Sequence, residues 1–300
     1  MPRPRTHTPS PFLLPVPGSF PARSPAVKLN APAKINLSLS VLGKRPDGFH
    51  EIETVMARLD LADTLTLERD APFGFTCTDA TLPDDDSNLV VRAAKLFFET
   101  AGLPPRGRVH LEKRIPHGAG LGGGSSDAAA ILLGLNEAFG SPLTAQALHG
   151  LAAAVGSDVP FFLARGAAIC RGRGERVEPV ELREALPLLL VKPGFGVPTP
   201  WAYRRWALSR ELPGVPYGAQ TFPWGVLVND LERPVFEKYL FLATLKQWLL
   251  AQPESAGALM SGSGATCFAV LRRAEEGPAL EARVRESFAP VWTALCHTRP

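Results

Sequence analysis

Ile115-Pro116-His117-Gly118-Ala119-Gly120-Leu121-Gly122-Gly123-Gly124-Ser125-Ser126-Asp127 is the stretch on which the reading of this chain turns. It follows an alternating segment, Val109-His110-Leu111-Glu112-Lys113, and precedes a run whose apolar residues Ile131, Leu132, Leu135 and Phe139 keep helical spacing. The order predicts strand, loop and helix, the helix running from about Ser126 to Phe139 and stopping at Gly140. Glycines let a backbone turn tightly and aim several N–H groups one way, and the helix start adds its positive dipole end. Such a place suits phosphate. Ser125 and Ser126 add hydroxyls that can donate to phosphate or ligate magnesium.

Two better-known phosphate loops do not fit. Walker A needs a lysine before the helix-starting Ser or Thr, and none is there. Gly118, Gly120 and Gly123 satisfy GxGxxG, but a dinucleotide fold wants a second strand ending in an acid about 20 residues on. Ser141-Pro142-Leu143-Thr144 stands there instead and opens another helix, predicted over about 144–155.

Upstream, residues 33–41 alternate as a half-buried strand, with Ala33, Ile35, Leu37, Leu39 and Val41 inward and Lys34, Asn36, Ser38 and Ser40 outward. Pro46-Asp47-Gly48 marks a turn, and strand signals follow from Ile52 to Leu67. Asp84 to Asn88 caps a helix through Phe98 that ends at Gly102. Downstream, strands are read at Ala167–Cys170 and Leu188–Val191, and helices near 232–251 and 274–287. Proline and glycine crowd 193–225, and a small-residue turn, Ser261-Gly262-Ser263-Gly264-Ala265-Thr266, leads into a strand from Cys267. Helices and strands keep no strict βαβ rhythm, so the expected class is α+β.

Composition narrows the function. Of 32 basic residues, Arg3, Arg5 and Arg23 lie in the first 25 with no acid, leaving 29 against 29 acids in the rest. A balanced body gives no support to a nucleic-acid groove. No apolar run nears the roughly 18 residues of a membrane span. Prolines at 9, 11, 15, 17 and 21 break Phe12-Leu13-Leu14 too early for a signal-peptide core, so residues 1–25 read as an extended, disordered arm. Four cysteines without CxxC or zinc spacing point to reduced thiols in the cytoplasm.

Lys34 alone reads as a solvated residue, and Asp158 alone as a helix N-cap. Beside a phosphate loop, the two supply what phosphoryl transfer needs: a carboxylate to position or deprotonate a hydroxyl, and a cation for the moving charge. Phe49, His50 and Tyr203 are core aromatics on the plain reading, and together they can hold a flat base.

Pro32-Ala33-Lys34-Ile35-Asn36-Leu37, the Pro116–Ala130 loop and Ser261-Gly262-Ser263-Gly264-Ala265, in that order, resemble the three motifs of the GHMP kinases. A narrower likeness rests on Arg45-Pro46-Asp47-Gly48-Phe49-His50, Gly156-Ser157-Asp158-Val159-Pro160, Val197-Pro198-Thr199-Pro200 and Asn229-Asp230-Leu231-Glu232. These resemble the branch that phosphorylates a hydroxyl of CDP-methylerythritol. The resemblance spans about 27–300. It implies a two-domain fold with its site in the cleft, residues 26–185 forming the ATP-binding domain and 186–300 the second.

It implies Lys34 and Asp158 as the catalytic pair, Pro116 to Ser126 around the phosphates of ATP, and Mg2+. It also implies Phe49 and Tyr203 sandwiching a cytosine that His50 hydrogen-bonds, with Asn36 and Thr199 holding the substrate. No protein metal site, nucleic acid or membrane is implied, and the expected state is a monomer or weak homodimer. Phe49 departs from the family's usual tyrosine, keeping the stacking face and losing a hydroxyl. Asp127, beside the phosphates, is expected to cap the helix. Two alternatives stay open: a sibling enzyme acting on mevalonate or another alcohol, and an ATP-binding regulator without catalysis.

Overall fold

The structure, a computed structural model, describes residues 25–300; the arm expected over 1–25 lies outside them except for Pro25. The first part of the chain gives β1 (Val27–Lys44), β2 (His50–Pro72), β3 (Gly74–Cys77), α1 (Leu89–Ala101), β4 (Arg106–Glu112), α2 (Gly123–Ala138) and α3 (Ala145–Val155). The middle adds β5 (Ala167–Gly172), β6 (Arg176–Val180), β7 (Pro187–Pro193), α4 (Thr199–Trp206), β8 (Gln220–Phe222) and β9 (Gly225–Asn229). Then come α5 (Glu232–Lys238), α6 (Leu240–Leu250), β10 (Ser255–Met260), β11 (Cys267–Leu271), α7 (Gly277–Phe288) and β12 (Val291–Arg299).

Turn and cap chemistry sets the early elements. Gly48, at φ 88°, closes the β1–β2 hairpin. Asn88 caps α1 by accepting the Val90 N–H at 2.9 Å, and left-handed Gly102 ends it. Strand β2 organises the sheet. One edge pairs with β1, and the other takes β5 along Ile52–Ala57, β12 at Arg58 and Leu59, and β4 from Thr64 onward, all antiparallel. Strand β12 continues onto β7, which leads to β11 and β10, while β9 runs parallel to β1 at Ser38 and Leu39. All twelve described strands are thereby connected.

Three apolar clusters fill the fold. The first packs α1, α2 and α3 on the sheet through Phe97, Phe98, Leu111, Ile131 and Phe161. The second joins α4 to α7 with β7, β10 and β11 through Phe236, Leu245, Met260 and Leu280. The third, with Ile35, Leu59, Leu121, Leu188 and Phe268, lies where the two halves meet. Each such side chain stabilises the fold by about 1.5–3 kcal/mol on burial. Within the second half, Lys246 Nζ reaches Glu232 Oε2 at 2.5 Å, and Glu232 Oε1 accepts the Met260 N–H at 2.9 Å, every partner buried. Burial pushes the Glu232 carboxyl up to about 6, with Lys246 opposing it.

Several expectations change. Strand β1 is not half-buried: residues 31–37 are buried on both faces, because the glycine loop and the second half of the chain cover the polar side. Lys34 and Asn36, read as outward, are each only 3% exposed. Asp158 caps no helix; a single 3-10 turn, Pro160–Leu163, follows it with no side-chain cap. The proline-rich 193–225 region contains α4 and β8, and strands β3, β6, β9 and β12 were not read from the sequence. Among the described residues no helix is long and apolar enough to cross a membrane, and the four cysteines are free thiols.

Candidate active site

One cavity of about 860 Å3 gathers the candidate residues. Pro116 to Ser125 line it, as do Lys34, Asn36, Phe49, His50, Asp158, Thr199 and Tyr203. Ser126 does not; it is buried behind the loop, and its Oγ has no hydrogen-bond partner.

Backbone contacts seat the loop between the two halves. The Lys34 N–H donates to Leu121 O at 2.9 Å, the Thr266 N–H to Ala119 O at 3.1 Å, and Ser261 Oγ to Gly120 O at 2.9 Å. Two glycines make this close approach possible. At Gly120, φ is 76° and a Cβ would fall 2.3 Å from Ser261 O; at Gly122, φ is 70° and a Cβ would fall 2.9 Å from both Lys34 Cγ and Phe162 Cζ. Gly122 is also the N-cap of α2 and supplies no side-chain acceptor, so the first-turn N–H groups stay available to an anion.

Behind the loop lies a charge cluster that was not read from the sequence. Asp63, fully buried on β2, accepts the backbone N–H groups of Arg114 at 2.5 Å and Ile115 at 2.9 Å, fixing where β4 gives way to the loop. Lys113 Nζ bridges Asp63 and Asp127, at 2.9 Å from the latter. Contrary to the expectation, Asp127 does not cap α2; it lies just past the first turn, paired with a cation. Two carboxylates sharing one lysine leave a buried negative charge. Burial accordingly pushes the Asp127 carboxyl up to about 7, against the attraction of Lys113 and with the repulsion of Asp63. The sequence shows two of its members, Lys113 at the end of an alternating segment and Asp127 beside the phosphate loop, and nothing in it ties them to Asp63.

The second charged pair faces the cavity. Lys34 Nζ donates to Asn36 Oδ1 at 2.6 Å, and Asn36 Nδ2 donates to Thr54 Oγ1 at 2.8 Å. Asp158 Oδ2 stands 3.6 Å from the same ammonium. From the other half, Thr199 Oγ1 and Ser263 Oγ are 2.7 Å apart, closing the wall opposite the loop. A hydroxyl placed here meets a carboxylate that can accept its proton and a cation beside incoming phosphate.

At the far end the aromatics adopt a different arrangement from a simple Phe49–Tyr203 pair. His50 stacks on Tyr203, with centroids 5.4 Å apart and planes at 29°, and meets the edge of Trp206 at 6.3 Å. Phe49 is half exposed, and the Arg173 guanidinium lies 5.0 Å from its ring centroid. Burial, then the nearby Lys44 charge, lowers the His50 pKa, keeping the ring neutral at pH 7 and able both to donate and to accept.

Residues 88–166 match the family described as GHMP kinases N terminal domain, and residues 223–290 match GHMP kinases C terminal. A 4-diphosphocytidyl-2-C-methyl-D-erythritol kinase of Methylacidiphilum infernorum is 44% identical over 250 residues, covering 81% of this chain and 85% of its own. The enzyme of the same name from Synechococcus sp. strain CC9902 is 44% identical over 268 residues, covering 81% and 86%. A crystal structure of 4-(cytidine 5'-diphospho)-2C-methyl-D-erythritol kinase superposes with a TM-score of 0.75 at 35% identity, covering 91% of this chain and 100% of that one. A homoserine kinase from Cytophaga hutchinsonii, 18% identical with a TM-score of 0.65 over 94% of this chain and 96% of its own, shares the fold. With a two-domain fold, a glycine loop and a cleft of this shape, the chain belongs to the GHMP kinases, in the 4-diphosphocytidyl-2-C-methyl-D-erythritol kinase family.

Proposed function

We propose that the chain transfers the γ-phosphoryl group of ATP to the 2-hydroxyl of 4-diphosphocytidyl-2-C-methyl-D-erythritol, giving the 2-phosphate and ADP. This is a step of the non-mevalonate route to isopentenyl diphosphate. The observation that carries the reading is the placement of Lys34 and Asp158, 3.6 Å apart, in one cavity with the glycine loop and the His50–Tyr203 stack.

In this reading residues 26–185 carry the nucleotide site and 186–300 close the cleft over it. ATP lays its phosphates along Pro116 to Ser125, against the N–H groups of the loop and of the α2 start. Asp158 takes the proton of the acceptor hydroxyl as its oxygen bonds the γ-phosphorus and the bridge to ADP breaks. Lys34, held by Asn36, offsets charge on the transferring group. Asn36 and Thr199 hold the sugar alcohol, and Phe49, His50 and Tyr203 hold the cytosine.

Magnesium fits the same place. No cluster of three or more His, Cys, Asp or Glu suited to a metal occurs among the described residues, yet the Ser125 hydroxyl, an oxygen donor, lines the cavity next to the glycines of the loop. The Ser125 hydroxyl would hold the ion alongside the phosphates, the sparse protein coordination usual for Mg2+. When bound, it neutralises charge on the phosphate oxygens. Four free thiols support a reducing compartment, the cytoplasm.

The test is ADP release by the purified full chain with Mg-ATP, offering the cytidyl substrate, mevalonate and homoserine in parallel. Turnover confined to the cytidyl compound is expected. Turnover with mevalonate or homoserine instead removes the substrate assignment, and ATP binding without any turnover removes catalysis.

A further inference from the structure

The cavity holds more positive charge than phosphoryl transfer uses. Its lysines are Lys34, which faces Asp158, and Lys113, which is shared by Asp63 and Asp127. Its arginines are Arg173 and Arg204, and neither makes an ion pair among the described residues. Their neighbours in sequence contrast sharply. Arg171 pairs with Glu53 and Glu178, Arg176 with Glu51, and Arg205 with Glu237. These three neighbours are neutralised by carboxylates, and the two arginines that line the cavity are not.

Both cavity arginines are placed by fixed elements. Arg173 sits in the turn between β5 and β6, where its backbone N–H donates to Glu175 Oε2 at 2.8 Å and its Nη2 to Ala153 O at 2.7 Å. Its guanidinium covers Phe49. Asp47 on the same rim feels the Arg173 charge but is bound to Arg45 at 3.1 Å. Arg204, on α4 next to Tyr203, lines the same cavity from the second half of the chain.

We infer that Arg173 and Arg204 bind the diphosphate of the cytidyl substrate, an inference that rests on the function proposed above. The base end of the cavity and the Lys34–Asp158 pair must be bridged by whatever links base to acceptor hydroxyl. In this substrate the link is a diphosphate, carrying negative charge that the ATP loop does not serve. Guanidinium groups suit it, since their planar donors match phosphate oxygens. Arg173 then has two roles, backing the Phe49 ring and meeting the link, and Arg204 closes on the link from the opposite half.

The test compares binding of cytidine and of cytidine 5'-diphosphate to the full chain, by calorimetry, for the parent, Arg173→Gln, Arg204→Gln and the double variant. The parent is expected to prefer the diphosphate by tenfold or more, and each single variant to lose roughly tenfold of diphosphate affinity, as for a lost charged hydrogen bond. Cytidine affinity moves little in Arg204→Gln, and Arg173→Lys restores part of what Arg173→Gln loses. Binding of ATP, read in the same samples, reports that the variants are folded.

A parent with no preference for the diphosphate overturns the inference, and so does a double variant that keeps the parental preference. Steady-state kinetics of the parent separates the two levels. Absence of turnover with the cytidyl substrate defeats the functional reading, whereas turnover with an unchanged KM for that substrate in the double variant defeats only the role of the arginines.

Discussion

The Lys34 ammonium is held from two sides, by Asn36 Oδ1 at 2.6 Å and by Asp158 Oδ2 at 3.6 Å, and the two members of the charged pair differ in exposure. The Lys34 side chain is 4% exposed and that of Asp158 is 35%. The lysine is fixed by the fold, and the carboxylate is open to an incoming hydroxyl. That asymmetry suits a cation that stays in place and a base that must exchange a proton with a substrate.

Asp158→Asn keeps the shape of the side chain and removes its capacity to accept a proton. Turnover is expected to fall by at least about a hundredfold, the low end for a lost general base. ADP release at saturating substrates reads the change, and ATP binding is expected to persist. Near-parental turnover in this variant would falsify the assignment of Asp158 as base.

Gly120→Ala places a methyl group against Ser261 O in a left-handed backbone. The loop must shift off the Ser261–Thr266 turn, so both ATP affinity and the junction between the halves suffer. A loss of at least ~1 kcal/mol in unfolding free energy is expected, together with a raised KM for ATP. Gly118→Ala is the control, because φ is also positive there but no atom lies within 4 Å of the added carbon. Equal effects of the two substitutions would remove the contact with Ser261 O as the cause.

The Asp127 carboxyl, raised from 3.8 to about 7 chiefly by burial, gives stability a pH dependence. Between those values the folded chain holds a proton that the unfolded chain has released. The contribution is complete below about 3.8 and is lost as pH rises through about 7, so this group makes the fold less stable toward pH 8. Asp127→Asn is expected to flatten the fall in melting temperature between pH 6 and 8. A parental slope in the variant would assign that dependence elsewhere.

Lys246→Met leaves the Glu232 carboxyl buried without its cation. A loss of about 3–5 kcal/mol is expected for breaking a buried pair. The double variant Glu232→Gln, Lys246→Met recovers much of it, since no lone charge remains. Urea unfolding of the two variants decides the matter: equal destabilisation would show that packing, and not charge, sets the cost.

The parts of the site legible in the sequence were those with local signatures. The glycine loop announces itself by composition and by the periodicity on either side, and Asn88 and Gly102 mark the ends of α1 by cap chemistry. Phe49 and His50 reach the cavity because Pro46-Asp47-Gly48 turns the hairpin just before them. What was not legible depends on partners far along the chain. The polar face of β1 reads as solvated until the Ser261–Thr266 turn and the glycine loop are known to lie on it. The Asp63–Lys113–Asp127 cluster draws on three separated elements, and no spacing rule connects them. Strand β6 carries Arg, Glu and Pro on a half-exposed edge, and β12 mixes Trp, Thr, Cys and His, so neither shows clean alternation.

Strand β12 also bears on the order in which the chain acquires its shape. Thr298 and Arg299 pair with Leu59 and Arg58, while Thr298 exchanges hydrogen bonds with Leu186 through its N–H at 3.0 Å and its Oγ at 2.8 Å. During synthesis β1, β2, β4 and the helices on them emerge with most of their own contacts available. The gap on β2 between β5 and β4 waits for a strand made hundreds of residues later, a costly long-range closure. On the ribosome, therefore, the first half of the chain can condense early while its seam to the second half stays open. The cleft becomes a finished site only when β12 leaves the exit tunnel and zips that seam shut.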